Sequence, residues 1–171
     1  MAKKKSGFYW HVHHYILFEW CYDYDERADF ILKHKDASEQ PTRLRLFQPV
    51  NKPPKGVVKA RQAYVKAGQV YNKATQADDK AWQVCDKARQ ACDKAGQGYF
   101  KADQACEKAE QAYDKAWQVR RKAMQACDKA DQAYDKALDD NKKAIEKLHA
   151  LECPNCPWDG NTIFPADQAP Q

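Results

Sequence analysis

Lysine recurs every seven residues from Lys59 to Lys143 without a slip, through the middle half of this 171-residue chain. The intervening residues repeat with it. Twelve blocks run from Lys59 to Lys142 as Lys-Ala-x-Gln-Ala-x-Asp, with alanine always in the second place and glutamine in the fourth of every block but the last, which has Asp139. A strand needs a period of two, whereas seven residues is close to two helical turns. Ala, Lys, Gln, Glu and Arg also favour helix, and no proline interrupts Lys55 to Glu152. The chain is therefore predicted to be mostly α, dominated by one very long heptad-repeat helix over residues 57–150.

At about 100° per residue, the fifth, second, sixth and third places of each block share one side of that helix. With the sixth place as a and the second as d, position d is always alanine. Position a holds Tyr64, Tyr71, Tyr99, Tyr113 and Tyr134, together with Cys85, Cys92, Cys106 and Cys127. Trp82 and Trp117 flank this seam at e. Large residues opposite alanine allow close approach of a second helix, so this face is expected to form a coiled coil or bundle, through self-association or with another helical protein. Asp78, Arg120 and Asn141 at a, and Asp103, Glu110 and Asp131 at e, interrupt the stripe and predict imperfect packing.

Tyr, Cys, Asp and Asn at the sixth place are mostly single-base neighbours, as are many third-place residues relative to tryptophan. The repeat thus reads as a short DNA unit copied in tandem and then drifting. On that reading the four seam cysteines are altered tyrosines with no metal or redox role. Gly96 and Gly98 share one block and weaken the helix by about 1 kcal/mol each relative to alanine. They could mark a hinge that folds the repeat into a hairpin. The uninterrupted heptad phase favours instead a continuous rod of about 140 Å at 1.5 Å per residue.

Residues 1–50 are predicted to form a small aromatic-rich α/β or α unit. Eight aromatics lie between Phe8 and Tyr24. Phe8 to His14 alternates like a strand. Asp23 with Glu26 resembles a cap for a helix running to about Lys35, with Ala28, Ile31 and Leu32 on its apolar face. Leu44, Leu46 and Phe47 add a helix or strand between Pro41 and Pro49. Residues 51–56, Asn-Lys-Pro-Pro-Lys-Gly, read as a stiff linker. No stretch approaches the length of a membrane span and no secretory signal is evident, so a cytoplasmic location is expected. The seven cysteines then read as thiols or metal ligands rather than as disulfides.

The tail, residues 151–171, contains Glu152-Cys-Pro-Asn-Cys-Pro-Trp-Asp-Gly160. Cys153 and Cys156 have the spacing by which a tight turn brings two thiolates to one tetrahedral zinc ion. His149, four residues before Cys153, and His13 are candidates to complete the set, with His11, His14 and Cys21 as alternates. Two further readings stand beside zinc: unliganded thiols with ordinary histidines, and a redox dithiol. A site shared by the two ends requires a hairpin or an antiparallel second chain. Trp10-His-Val-His-His14 together with Cys153-Pro-Asn-Cys-Pro-Trp-Asp-Gly160 resembles small uncharacterised bacterial or phage proteins with an expandable helix between such ends. That resemblance implies no function.

The net charge of +5 is spread thinly apart from Lys3, Lys4 and Lys5. It favours solubility over a nucleic-acid stripe. No acid/base pair, phosphate loop or nucleophile motif is present, which argues against an enzyme, a histidine-metal hydrolase included. The expected function is structural: a helical spacer or self-assembly rod. The alternative is a zinc-stabilised nucleic-acid-binding accessory protein using Lys3–Lys5, Arg43, Arg45 and the aromatic cluster.

Overall fold

The computed structural model describes residues 5–95 and 100–164. Those residues are mostly helical, as the period predicts. In chain order they form β1 (Gly7–Trp10), β2 (Phe18–Cys21), α1 (Tyr24–His34), α2 (Gln40–Leu46), α3 (Lys55–Ala95), α4 (Phe100–Asp140) and α5 (Lys142–Glu152). No helix among the described residues is long and apolar enough to cross a membrane.

The chain divides into two compact units. One combines Met1–Lys55 with Asp140–Gln171, and the other is Gly56–Asp139. In the first, β1 and β2 pair antiparallel with Phe8 opposite Trp20 and Trp10 opposite Phe18. Trp10 N–H donates to the Gln48 carbonyl and Val50 N–H to that of Phe8, both at 2.9 Å, so residues 48–50 line the free edge of β1. Alternation sends Tyr9 to one face, where its ring packs on Tyr24 and Phe47. Phe8 and Trp10 go to the other face, against Phe18. Both faces are covered, and Phe8, Tyr9 and Trp10 are all buried.

The strand expected over Phe8 to His14 stops at Trp10. His11 has φ 50°, a left-handed conformation in which the ladder cannot continue. Helix α1 starts where the cap predicts: the Asp23 carboxylate accepts from the backbone N–H of Asp25 and Glu26. Leu44 and Leu46 lie in α2, entered through Pro41 in its first turn, where a missing N–H is harmless. Described residues 153–164, which follow α5, pack against the N-terminal segment. Leu46, Cys153 and Ile163 make a buried cluster with Cys156, Trp158 and Phe164 against it, and Ile163 N–H donates to the His14 carbonyl at 3.0 Å.

The second unit is an antiparallel helix pair. Helices α3 and α4, each of 41 residues, meet in a register that reflects about residue 99. The Tyr64 and Tyr134 rings stack at 6.3 Å, Asp78 pairs with Arg120 at 2.8 Å, and Arg89 with Glu110 at 3.0 Å. The same register sets Tyr71 opposite Cys127 and Cys85 opposite Tyr113, a large residue facing a small one in each layer. The helix expected to run unbroken over residues 57–150 is thus divided, and the continuous rod gives way to the hairpin. A lone helix would leave its tyrosine and cysteine stripe in water, whereas folding back covers it without a second chain. Asp78 and Arg120, expected as breaks in the stripe, face each other and offset one another's charge. Gly96, Gly98 and Tyr99, the candidate hinge and one candidate interface residue, lie outside the described residues.

Candidate metal centre

Each donor of the cluster is set by a local backbone feature. The left-handed turn at His11 ends β1 and begins the loop to β2. That loop is held by Arg27, whose guanidinium donates twice to the Val12 carbonyl at 2.9 and 2.6 Å. Four residues make just over one helical turn, so His149 and Cys153 share one face at the end of α5. Cys153 N–H caps that end by donating to the His149 carbonyl at 2.8 Å. Asn155, at φ 61°, then bends the chain so that Cys156 returns over Cys153. Its N–H donates to the Cys153 carbonyl at 3.3 Å.

The result is a four-donor set. One ligand atom from each of His11, His149, Cys153 and Cys156 lies within 4.8 Å of every other. The Nε2 atoms of His11 and His149 are 3.0 Å apart, and Cys156 Sγ is 3.3 Å from His11 Nε2. A tetrahedral ion with metal–nitrogen bonds of 2.0–2.1 Å and metal–sulfur bonds near 2.3 Å places donors roughly 3.3–3.8 Å apart. The two short spacings are close to that and the others stay within 4.8 Å, so this His2Cys2 cluster could hold a metal ion. His11 is only 2% exposed, and its Nδ1 is buried without a hydrogen-bond partner. A cation bound at Nε2 would leave Nδ1 to carry the ring proton.

Aromatic rings close the surroundings. Trp10 lies edge-on to His149 at 5.2 Å, and Trp158 is tilted over His11 at 5.3 Å. Trp10 Nε1 and the Asn51 backbone N–H both donate to Glu152 Oε2 at 3.1 Å, pinning the end of α5 to β1 and to the segment after α2. The two thiols differ. Hydrogen bonds from Cys153, His11 and His149 hold Cys156 well below the ordinary cysteine range. The bond to Cys156, reinforced by burial, pushes Cys153 up. A cation bound by both sulfurs would displace the thiol protons that remain.

His13, the expected histidine ligand from the N-terminal segment, is elsewhere. Its backbone N–H and Nδ1 both engage Glu19 Oε1, at 2.9 and 2.7 Å. His11, an alternate, stands in the cluster instead. His14 Nδ1 is 3.5 Å from Arg43 Nη2, and Cys21 belongs to the core around Tyr9 and Phe47. Sequence alternation could not choose among the three histidines, because the turn at His11 breaks it. In comparisons with protein families, curated proteins and solved structures, no match to this chain was found.

The residues expected to meet phosphate divide. Lys5 reaches Asp23 at 3.4 Å, while Lys3 and Lys4 lie outside the described residues. Arg43 is buried, pairs with Glu39 at 2.6 Å and stacks over Phe164. Its guanidinium is thus engaged within the fold. Among the candidate helix-interface residues, Tyr64, Tyr71, Tyr113 and Tyr134 are half-buried. Trp82 and Trp117 remain 55% and 42% exposed on a flank of the helix pair.

Proposed function

We propose that this protein is a structural interaction protein of the cytoplasm, in which a zinc ion joins the two terminal segments and the repeat serves as a helical spacer and self-association surface. The observation that carries this reading is the convergence of His11 with His149, Cys153 and Cys156. These donors come from opposite sides, in sequence, of the inserted repeat unit. One ion would close that insertion at its base, whatever the number of repeats between. Two thiolates would neutralise the charge of Zn²⁺, and mixed sulfur and nitrogen donors in a tetrahedron suit zinc over harder cations. Four protein ligands leave no open coordination position, which favours a structural over a catalytic role. The exposed Trp82 and Trp117 support association through the repeat, since large aromatics gain most from being covered.

The test is zinc content by mass spectrometry and molar mass by light scattering on the full chain. One zinc per chain is expected. It should be lost in His11→Ala and Cys153→Ser but kept in His13→Ala, and the mass should rise with concentration. Retention of zinc by His11→Ala would sink the proposed centre. A mass fixed at one chain would remove self-association.

A further inference from the structure

The seam cysteines divide into two kinds once the register of the helix pair is known. By that register Cys85 and Cys127 fall opposite Tyr113 and Tyr71. Cys92 and Cys106 fall opposite each other. Their placement follows from the adjacent Arg89–Glu110 bridge at 3.0 Å and from the Asp78–Arg120 and Tyr64–Tyr134 layers beyond it. The two side chains are in direct hydrogen-bonding contact. Both are half-buried, whereas Cys85 is buried, so a small reagent can reach the pair from solvent.

We propose that Cys92 and Cys106 are a thiol-modification site, a dithiol that a small-molecule disulfide converts into a cross-link between α3 and α4. One thiol loses its proton and attacks the reagent's S–S bond, giving a mixed disulfide and one reagent thiolate. The second, once deprotonated, attacks the protein sulfur of that mixed disulfide and expels the other reagent thiolate. A Cys92–Cys106 bond forms, and the two electrons and two protons leave on two molecules of reduced reagent. Exchange of this kind needs only thiolate access and a partner sulfur within reach. Burial and the bond to Cys92 push the Cys106 thiol up from the ordinary cysteine range, so cross-linking should accelerate as the pH is raised. This role contrasts with the reading of these cysteines as altered tyrosines without chemistry, because the mirror register places two of them face to face.

The experiment treats the zinc-loaded full chain with oxidised glutathione, traps remaining thiols with an alkylating agent and maps the peptides. The expected product is one intrachain Cys92–Cys106 link, absent from Cys106→Ser. Its short loop should raise the melting temperature of the wild-type protein by about 5 °C or more over the reduced form, with no such rise in the variant. Circular dichroism of Cys106→Ser before oxidation establishes that the helix pair is intact, so a missing link reports chemistry rather than unfolding. Recovery of Cys92 and Cys106 as separately alkylated or glutathionylated residues, or linked to Cys85, Cys127 or another chain, would overturn the proposal.

Discussion

At His11 one backbone angle decides which histidine faces the cysteines. With φ at 50°, the ring that alternation would send to the side of Tyr9 is redirected toward α5, and His13 is left to Glu19. The neighbouring His14 carries a titration signature of its own. Burial, and then the nearby Arg43 guanidinium, hold it below the ordinary histidine value of 6.5. A histidine kept neutral by the fold contributes stability that is complete above its unfolded pKa and is lost as the pH falls through its folded pKa. The zinc-loaded protein should therefore lose melting temperature from pH 7 downward more steeply than His14→Gln does. The difference between the two proteins, followed by calorimetry, isolates His14 from protonation of the metal ligands. Equal slopes would show that His14 is not held neutral.

Mirror registration governs the element scale. Each a-layer of α3 meets its reflection in α4, so the pair tolerates a change in length only when both helices change together. Removing Lys80–Asp86 and Lys108–Asp114 in one protein preserves the Tyr64–Tyr134, Asp78–Arg120 and Cys92–Cys106 layers. Removing Lys80–Asp86 alone sets Asp78 against an uncharged residue and leaves Arg120 without its partner. A buried charge without a partner is strongly destabilising, and Asp78 is only 3% exposed. The single deletion should melt many degrees below the parent, and the paired deletion should stay close to it. Equal melting of the two deletions would contradict the register. The heptad also explains why Asp78 and Arg120 survive in an apolar stripe, since each offsets the cost of the other.

Across the whole molecule, the two compact units are stabilised by different means. The unit of residues 56–139 relies on alanine-lined close approach of two helices. The unit that holds both chain ends has a small aromatic core and the four-donor cluster. Helices α3 and α4 have 41 residues each, against 11, 7 and 11 for α1, α2 and α5. On the proposed zinc centre, stripping the metal with a strong chelator should abolish the near-ultraviolet signal of Trp10 and Trp158 while reducing the helical signal by no more than about a quarter, because metal binding is coupled to folding only where its ligands lie. Parallel collapse of both signals would mean that the units do not fold separately.

The sequence by itself determined the helical character of the repeat, the start of α1 and the paired spacing of Cys153 and Cys156. These depend on short-range periodicity and on turn chemistry within a few residues: seven-residue spacing, the Asp23 cap, the Cys153–Cys156 gap. It did not reveal β2, because Phe18–Cys21 gains its strand character by pairing with β1 and carries no strong alternation of its own. It also favoured an unbroken rod, because the heptad phase is the same for a straight helix and for one folded back on itself. Only the tertiary structure decided between those, since the choice rests on whether the apolar stripe is covered from within the chain. It likewise selected His11 over His13: proximity between residue 11 and residues 149–156 arises from packing across more than a hundred intervening residues, and no local pattern encodes it.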